Sequence, residues 1–361
     1  MTIQNRLNQI RERLTDADAL LIISPVNRRY VTGFASSDGM VLITRDSACL
    51  IVDSRYILAA SENVSLTGSE FSVHLTSAAN GSFTDIARKF LNIEQITRVG
   101  FEDEYVSFAE SETLREKLKA ELVPCGQILR ELRAVKSEGE ILRLRAAQEL
   151  TDEVFSDMLA VIRPGVTEKR VAAELTYRTL LKGALNVSFD PIVASGANSA
   201  KPHAVPTDRE LRRGDFVTLD FGCILDGYCS DMTRTIALGE VSEERRMVYE
   251  TVLRAQEAGI SAALPQVSGK AVHEAAAQVI ADAGYGAFFG HGFGHGVGLE
   301  IHESPNASPS WDKPLPENAV ISAEPGIYLP DKFGVRIEDV IVIRHSGAES
   351  ITHSEKSLIV L

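Results

Sequence analysis

The stretch "DFVTLDFGCILDGYCSDMTRTIAL", residues 215–238, decides how the second half of the chain is read. Asp226-Gly227 is the strongest short-range signal for a two-residue hairpin turn. With those residues as the turn, Leu225 faces Tyr228, and counting back sets Asp220 opposite Thr233. Asp231 lies two residues from Thr233 and so on the same face as Asp220. The two aspartates become diagonal neighbours, roughly 7–8 Å apart at the backbone. Val217, Leu219 and Phe221 surround Asp220 with strand-forming apolar residues. An acid in such a run is costly to bury unless it is paired or bound to metal. For this pair alone, a salt bridge to an arginine such as Arg234 competes on equal terms with a bound cation.

A second segment shifts the balance. Setting "GDFVTLDFG" (214–222) over "NAVISAEPG" (318–326) puts Asp220 on Glu324 and Gly222 on Gly326. Downstream, "YLPDKFGVRIEDVIVI" (328–343) returns as a second strand after a turn rich in Pro, Asp and Gly. It carries Glu338 where the first hairpin carries Asp231. One hairpin used twice would deliver four carboxylates to one centre.

Between the two lies "GHGFGHGVGLEIHE" (290–303). Glycines fill the even positions from 290 to 298, and His291, Phe293, His295 and Val297 the odd ones. An extended chain would therefore show histidines on one side and bare backbone on the other, as where a ligand or another backbone comes very close. A phosphate cradle is excluded, because the run lacks the Gly-Lys-Ser/Thr ending and the GxGxxG spacing. One imidazole added to four carboxylates makes an oxygen-rich set that disfavours thiolate-seeking metals and suits manganese, cobalt, zinc or iron(II). Four negative charges balance two divalent ions, a known catalytic arrangement.

The rest of the chain frames this half. At 361 residues it has the length of two domains. The formal charge of -13 repels a phosphate backbone, so nucleic acid is not an expected partner. The N-terminal "MTIQNRLNQIRERL" has no apolar leader region and no stretch is long enough to span a bilayer, which points to a cytoplasmic protein without a membrane partner. Cys49, Cys125, Cys223 and Cys229 have no metal spacing and read as buried or idle thiols. "ALLIIS" (19–24), "GMVLIT" (39–44) and "ACLIVD" (48–53) read as strands of a helix-covered sheet. Charged helix near 123–140 marks a hinge. Helices are expected over 141–162, over 166–183 with Thr167 as cap, from Ser242, and over 270–284.

The residues as a set resemble the pita-bread metallopeptidases, the group containing prolidase, aminopeptidase P, methionine aminopeptidase and the non-metal relative creatinase. The matching stretches are "NSAKPHAVPTDRELRRGDFVTLDFG", "GYCSDMTRT", "GHGFGHGVGLEIHE", "SAEPGIY" and "GVRIEDV", and residues 24–56 resemble the creatinase-type domain that precedes the catalytic one. The resemblance implies an α/β (α+β) fold. A creatinase-like N-terminal α/β domain would cover residues 1–130 and a pita-bread α+β catalytic domain residues 131–361. It implies Asp220, Asp231, His295, Glu324 and Glu338 as ligands of two divalent ions, manganese foremost. It further implies Glu324, His203 and His302 as catalytic groups, and His291 and Arg336 as groups that shape the substrate site. The implied activity is hydrolysis of the bond before proline in a proline-containing peptide, by a homodimer. Prolidases often read "HExPR", whose arginine binds the free carboxylate of an Xaa-Pro dipeptide. Here "HESPN" places Asn306 there, and an amide does not replace a guanidinium. That favours an Xaa-Pro aminopeptidase, with a dipeptidase as the alternative and a non-catalytic peptide-binding module as the remoter one.

Overall fold

The computed structural model describes residues 2–361, and the chain divides into two compact units between Leu132 and Arg133. The first unit is built on one six-stranded sheet of order β4-β3-β2-β1-β5-β6. Its strands are β1 (Ala19–Ile22), β2 (Met40–Thr44), β3 (Ala48–Val52), β4 (Ser72–Leu75), β5 (Arg98–Phe101) and β6 (Glu121–Pro124). Every residue of β1, β2 and β3 is buried, which is why these strands read as continuous apolar runs without alternation. Five helices accompany the sheet: α1 (Ile3–Arg13), α2 (Pro25–Thr32), α3 (Ile57–Thr67), α4 (Phe83–Ile93) and α5 (Phe108–Leu118). Ser82 with Asp85 and Ser107 with Glu110 form capping boxes that start α4 and α5. A sixth, α6 (Gly126–Ala134), crosses the division. All four cysteines are buried and free.

The second unit carries α7 (Glu138–Met158), α8 (Glu168–Leu181), α9 (Glu243–Ala262) and α10 (Gly269–Asp282). Three of these helices start where a small polar side chain accepts from the first turn. Thr167, Ser242 and Ser268 accept from the backbones of Arg170, Arg245 and Ala271. The first helix begins three residues before its expected start, because Ser137 and Glu140 form a capping box there. Among the described residues no helix is long and apolar enough to cross a membrane.

Three strand groups position the polar residues. The first is β7 (Asn186–Val187), β10 (Cys223–Leu225) and β11 (Tyr228–Cys229). The second is β8 (Ile192–Ser195), β9 (Phe216–Phe221) and β12 (Met232–Ala237). The third comprises β13 (Gly294–Gly296), β14 (Glu303–Ala307), β15 (Val320–Ala323), β18 (Asp339–Val342) and β19 (Glu349–Ser350), beside the pair β16 (Gly326–Leu329) and β17 (Phe333–Arg336). The first hairpin follows the register read from its turn, with Leu225 opposite Tyr228 and Asp220 opposite Thr233. Asp226 and Gly227 have φ of 48° and 83°, the positive values a type I′ turn requires.

Alternation along β9 then sorts its side chains. Val217, Leu219 and Phe221 enter the core made with α7 and α8, whereas Phe216 enters the core made with α9 and α10. Asp220 is in step with Phe216 and so turns away from the α7 and α8 layer. The same alternation removes Arg234 from the competition for Asp220. Arg234 is out of step with Thr233, and its guanidinium instead pairs with Asp339 at 2.8 Å and donates to the carbonyl of Glu338 at 2.5 Å.

Two expectations need correction. In the second hairpin, Ala323 lies opposite Asp339 and Gly326 opposite Arg336, which sets Glu324 level with Glu338. The position matching Glu338 in the first hairpin is therefore Thr233, two residues beyond Asp231. The glycine stretch is also not one long alternating strand. β13 spans three residues, and its pairing with β14 shifts register between Gly294 and Gly296. Phe293 and Val297 sink into two different cores, while His291 and His295 line a cavity. Alternation fails at the irregularity in the pairing with β14, which re-aims the side chains on either side of it.

Candidate metal centre

A cavity of about 670 Å³ opens in the second unit. Asp220, Asp231, His291, His295, His203, His302, Glu324, Arg336 and Glu338 all line it. The sequence-predicted residues, spread over more than a hundred positions, thus meet at one place.

Within the cavity the convergence is tightest for Asp231, His295 and Glu338, which each offer a ligand atom within 4.8 Å of the others. His295 Nε2 lies 3.5 Å from Asp231 Oδ2 and 3.2 Å from Glu324 Oε1. Its Nδ1 is 3.1 Å from the carbonyl oxygen of Gly296, which leaves Nε2 directed at the carboxylates. Asp220 turns one oxygen to Arg336 Nη2 at 2.5 Å. Its Oδ1 and Glu338 Oε1 are buried without a hydrogen-bond partner. Buried carboxylate oxygens in native proteins are nearly always satisfied, so these two orphans facing a cluster of acids fit a cation.

The electrostatics agree. Burial, with the charge of Asp220, pushes the Asp231 carboxyl well above the usual range. Burial, with the charge of Asp231, does the same to Glu338, and burial raises Asp220 against the pull of Arg336. Burial alone would lower His295, but its hydrogen bond to Glu324 and the charges of Glu324 and Asp231 lift it to about 9. Burial would raise Glu324, yet the hydrogen bond and charge of His295 bring it down to about 2. Protons thus do in the metal-free protein what a cation would do in the loaded one: they offset the repulsion of four crowded acids.

This sets a pH dependence for the metal-free protein. Carboxyls whose folded pKa is raised keep more protons in the native state than in the unfolded one, so stability falls as pH rises past about 4. The contribution of His295 is complete below about 6.5 and is lost as pH rises through about 9. That of Glu324 is constant above about 4.5 and is lost only on acidification toward about 2. Burial lowers His291 and His302, which adds stability as pH rises near 6.5. From about pH 7.5 to 9 the three raised carboxyls and His295 act together toward lost stability. Denaturant titration of chelator-stripped protein is expected to give a midpoint that drops across this window, with metal-loaded protein dropping less. A midpoint that climbs with pH in the stripped protein would contradict this electrostatic account.

Several supporting residues were not given roles from sequence. Tyr328 is bonded to both His291 Nε2 and Arg336 Nη1, each at 2.9 Å, and burial pushes its hydroxyl up to about 12. It stands in the stretches "SAEPGIY" and "YLPDKFGVRIEDVIVI", where nothing in the sequence marks it out. Thr233 donates to Glu338 Oε2 at 2.7 Å and accepts from Arg336 Nε at 3.0 Å. Ser322 donates to Glu324 Oε1 at 2.9 Å and accepts from the His295 backbone at 3.0 Å. Such bonds fix ligand orientation. His302 packs edge-on against His295, ring centroids 4.3 Å apart, and burial lowers its pKa, which keeps it neutral with one N–H to donate.

Comparison with known proteins accords with this geometry. The profile of metallopeptidase family M24 matches residues 143–345, and that of the creatinase/prolidase N-terminal domain matches residues 6–135. The uncharacterized peptidase YqhT of Bacillus subtilis is 41% identical over 345 residues, 95% of this chain and 96% of that protein. Among solved structures, the Xaa-Pro dipeptidase from Bacillus anthracis has a TM-score of 0.95 at 37% identity, covering 100% of both chains. The X-Pro aminopeptidase from Thermotoga maritima has a TM-score of 0.90 at 38% identity, over 97% of this chain and 99% of that one. Profile, relatives and buried acid cluster agree: the chain belongs to metallopeptidase family M24, as a metal-dependent hydrolase of its Xaa-Pro peptidases with a creatinase-type N-terminal domain and a pita-bread catalytic domain.

Proposed function

We propose that the chain is an Xaa-Pro aminopeptidase, which releases the N-terminal residue from peptides with proline in second place. Asp220, Asp231, His295, Glu324 and Glu338 hold two divalent ions in this reading, manganese foremost, with cobalt, zinc and iron(II) also suited to one nitrogen among many oxygens. When bound, such ions supply the Lewis acidity that makes water nucleophilic at neutral pH and polarises the scissile carbonyl. Glu324 accepts the proton released by the attacking water and passes it to the departing proline nitrogen. His203 and His302 donate hydrogen bonds to the carbonyl oxygen as it gains charge. His291, held by Tyr328, walls the proline pocket. Arg336 keeps Asp220 oriented through their contact at 2.5 Å. A homodimer in the cytoplasm, with neither nucleic acid nor membrane as partner, belongs to the same reading.

The observation that carries aminopeptidase over dipeptidase is the cation inventory of the cavity. Arg336 is the one arginine or lysine among its lining residues, and it is engaged by Asp220. Asn306, also in the lining, offers an amide. A dipeptide's free carboxylate would meet no unengaged permanent cation there, whereas a longer peptide carries a neutral amide at that point. The relative from Bacillus anthracis named Xaa-Pro dipeptidase favours the second reading. Steady-state kinetics with added manganese separates them: kcat/KM for Xaa-Pro-Yaa is expected to exceed that for Xaa-Pro by about tenfold or more. Asn306→Arg is expected to raise dipeptide kcat/KM by about tenfold, since a charge-assisted bond contributes about 1.5 kcal/mol or more. Equal or better turnover of the dipeptide by the unaltered enzyme would reverse the assignment. Loss of both activities in metal-loaded protein would favour a binding module.

A further inference from the structure

Glu168 opens α8 and is fully buried, yet it neither lines the cavity nor touches a metal-centre residue. No arginine or lysine forms an ion pair with it among the described residues. Its carboxylate is instead filled by five donors. Oε1 accepts from the Ser195 backbone at 2.6 Å and the Ser195 hydroxyl at 2.7 Å. Oε2 accepts from Asn198 Nδ2 at 3.0 Å, the Thr207 backbone at 2.9 Å and the Thr207 hydroxyl at 2.7 Å. Burying a carboxyl with no ion-pair partner is tolerable only when its lone pairs are met this completely. Arg209, held on the Ser195 hydroxyl, adds its charge from further off, and the first turn of a helix adds favourable dipole.

The donors come from the two ends of one excursion. Ser195 ends β8 and Thr207 closes the return, and between them Pro202, His203, Ala204, Val205 and Pro206 form part of the cavity wall. His203 itself is exposed, and among the described residues no hydrogen bond holds its ring. Its position is therefore dictated by its backbone. That backbone is tied to the metal centre through the Pro202 carbonyl, which accepts from Arg336 Nη1 at 3.1 Å, and to the scaffold through Glu168. Arg209 completes the clasp, donating to the Ser195 hydroxyl at 2.6 Å while paired with Asp215.

We infer that Glu168 is a positioning residue for the hydrolytic reaction, pinching both ends of the 195–207 excursion so that His203 reaches the substrate carbonyl in one fixed place. This rests on the role given above to His203. An imidazole that stabilises developing charge must be placed within a fraction of an ångström, and displacement of about 1 Å costs on the order of 10²-fold.

Glu168→Gln tests it, because either orientation of the amide aims N–H at donors and releases one end of the excursion. With manganese-loaded enzyme and an Xaa-Pro-Yaa substrate, kcat is expected to fall by about 10–100-fold with KM changed by less than about threefold, since the group acts on the transition state. Metal stoichiometry should be unchanged. In a His203→Ala background the same substitution should cost less than about twofold, as non-additivity requires of residues acting through one another. Thr207→Val removes one of the five bonds at an exposed position and should lower kcat by about threefold with the same non-additivity, so the test survives if the Gln variant folds poorly. Unaltered kcat in both variants, or equal losses in both backgrounds, would overturn the inference. A His203→Ala enzyme with unaltered kcat would instead overturn the role assigned to His203.

Discussion

Asp231→Asn is expected to abolish metal loading and peptide hydrolysis together while leaving the metal-free protein as stable as before, or more so. The two readouts separate because Asp231 has opposite roles in the two states. Without metal its ionisation is opposed by burial and by Asp220, and the backbone around it is held independently, its N–H donating to Gln148 at 3.3 Å. An amide of the same shape carries no charge to desolvate, and its N–H groups find acceptors among the neighbouring carboxylates. With metal, the converging set of Asp231, His295 and Glu338 loses an anionic member. Activity should fall by about 10³-fold or more, equivalent to about 4 kcal/mol of transition-state stabilisation. Metal analysis after dialysis, activity on Xaa-Pro-Yaa and denaturant titration of stripped protein at pH 8 check the three parts. Hydrolysis retained within about tenfold would remove Asp231 from the ligand set, and a large stability loss in the stripped protein would make it a structural acid.

The parts of this site that were legible in sequence are those governed by short-range rules. Asp226-Gly227 fixed a turn, the turn fixed a register, and the register put Asp220 and Asp231 on one face. Caps at Thr167 and Ser242 follow from the same local chemistry. Arg336 and Asp220, 116 positions apart, were joined only through family resemblance, because no periodicity carries a contact of that range. The second hairpin pairs two residues away from what its likeness to the first suggests, because its loop signals do not specify which residues face each other. Glu168 was invisible for a related reason. A glutamate at the start of a helix is ordinary dipole and capping chemistry, and only the folded chain brings Ser195, Asn198 and Thr207 around it.

The glycine stretch, which forms only the three-residue β13, makes the sharpest structural prediction when its members are taken one at a time. A Cβ on Gly294 would overlap the carbonyl oxygen of Ser322, a backbone atom of the neighbouring strand that cannot rotate away. Ser322 is also the residue whose hydroxyl joins the His295 backbone to Glu324, and the Glu324 backbone donates to the Phe293 carbonyl at 2.8 Å. Gly294→Ala must therefore push β13 from β15 at the point where both present metal-centre residues. The expected cost is about 3 kcal/mol of stability, the upper end of what overpacking imposes. Activity should fall at least about 10²-fold through displacement of His295 and Glu324. Gly290→Ala, four residues earlier in the same run, adds a Cβ with nothing within 4 Å of it and should change stability by less than about 0.5 kcal/mol. Equal effects of the two substitutions would mean that glycine acts here through chain flexibility. A large effect confined to Gly294 would mean that it acts by close approach of two backbones, which bring His295 and Glu324 to one centre.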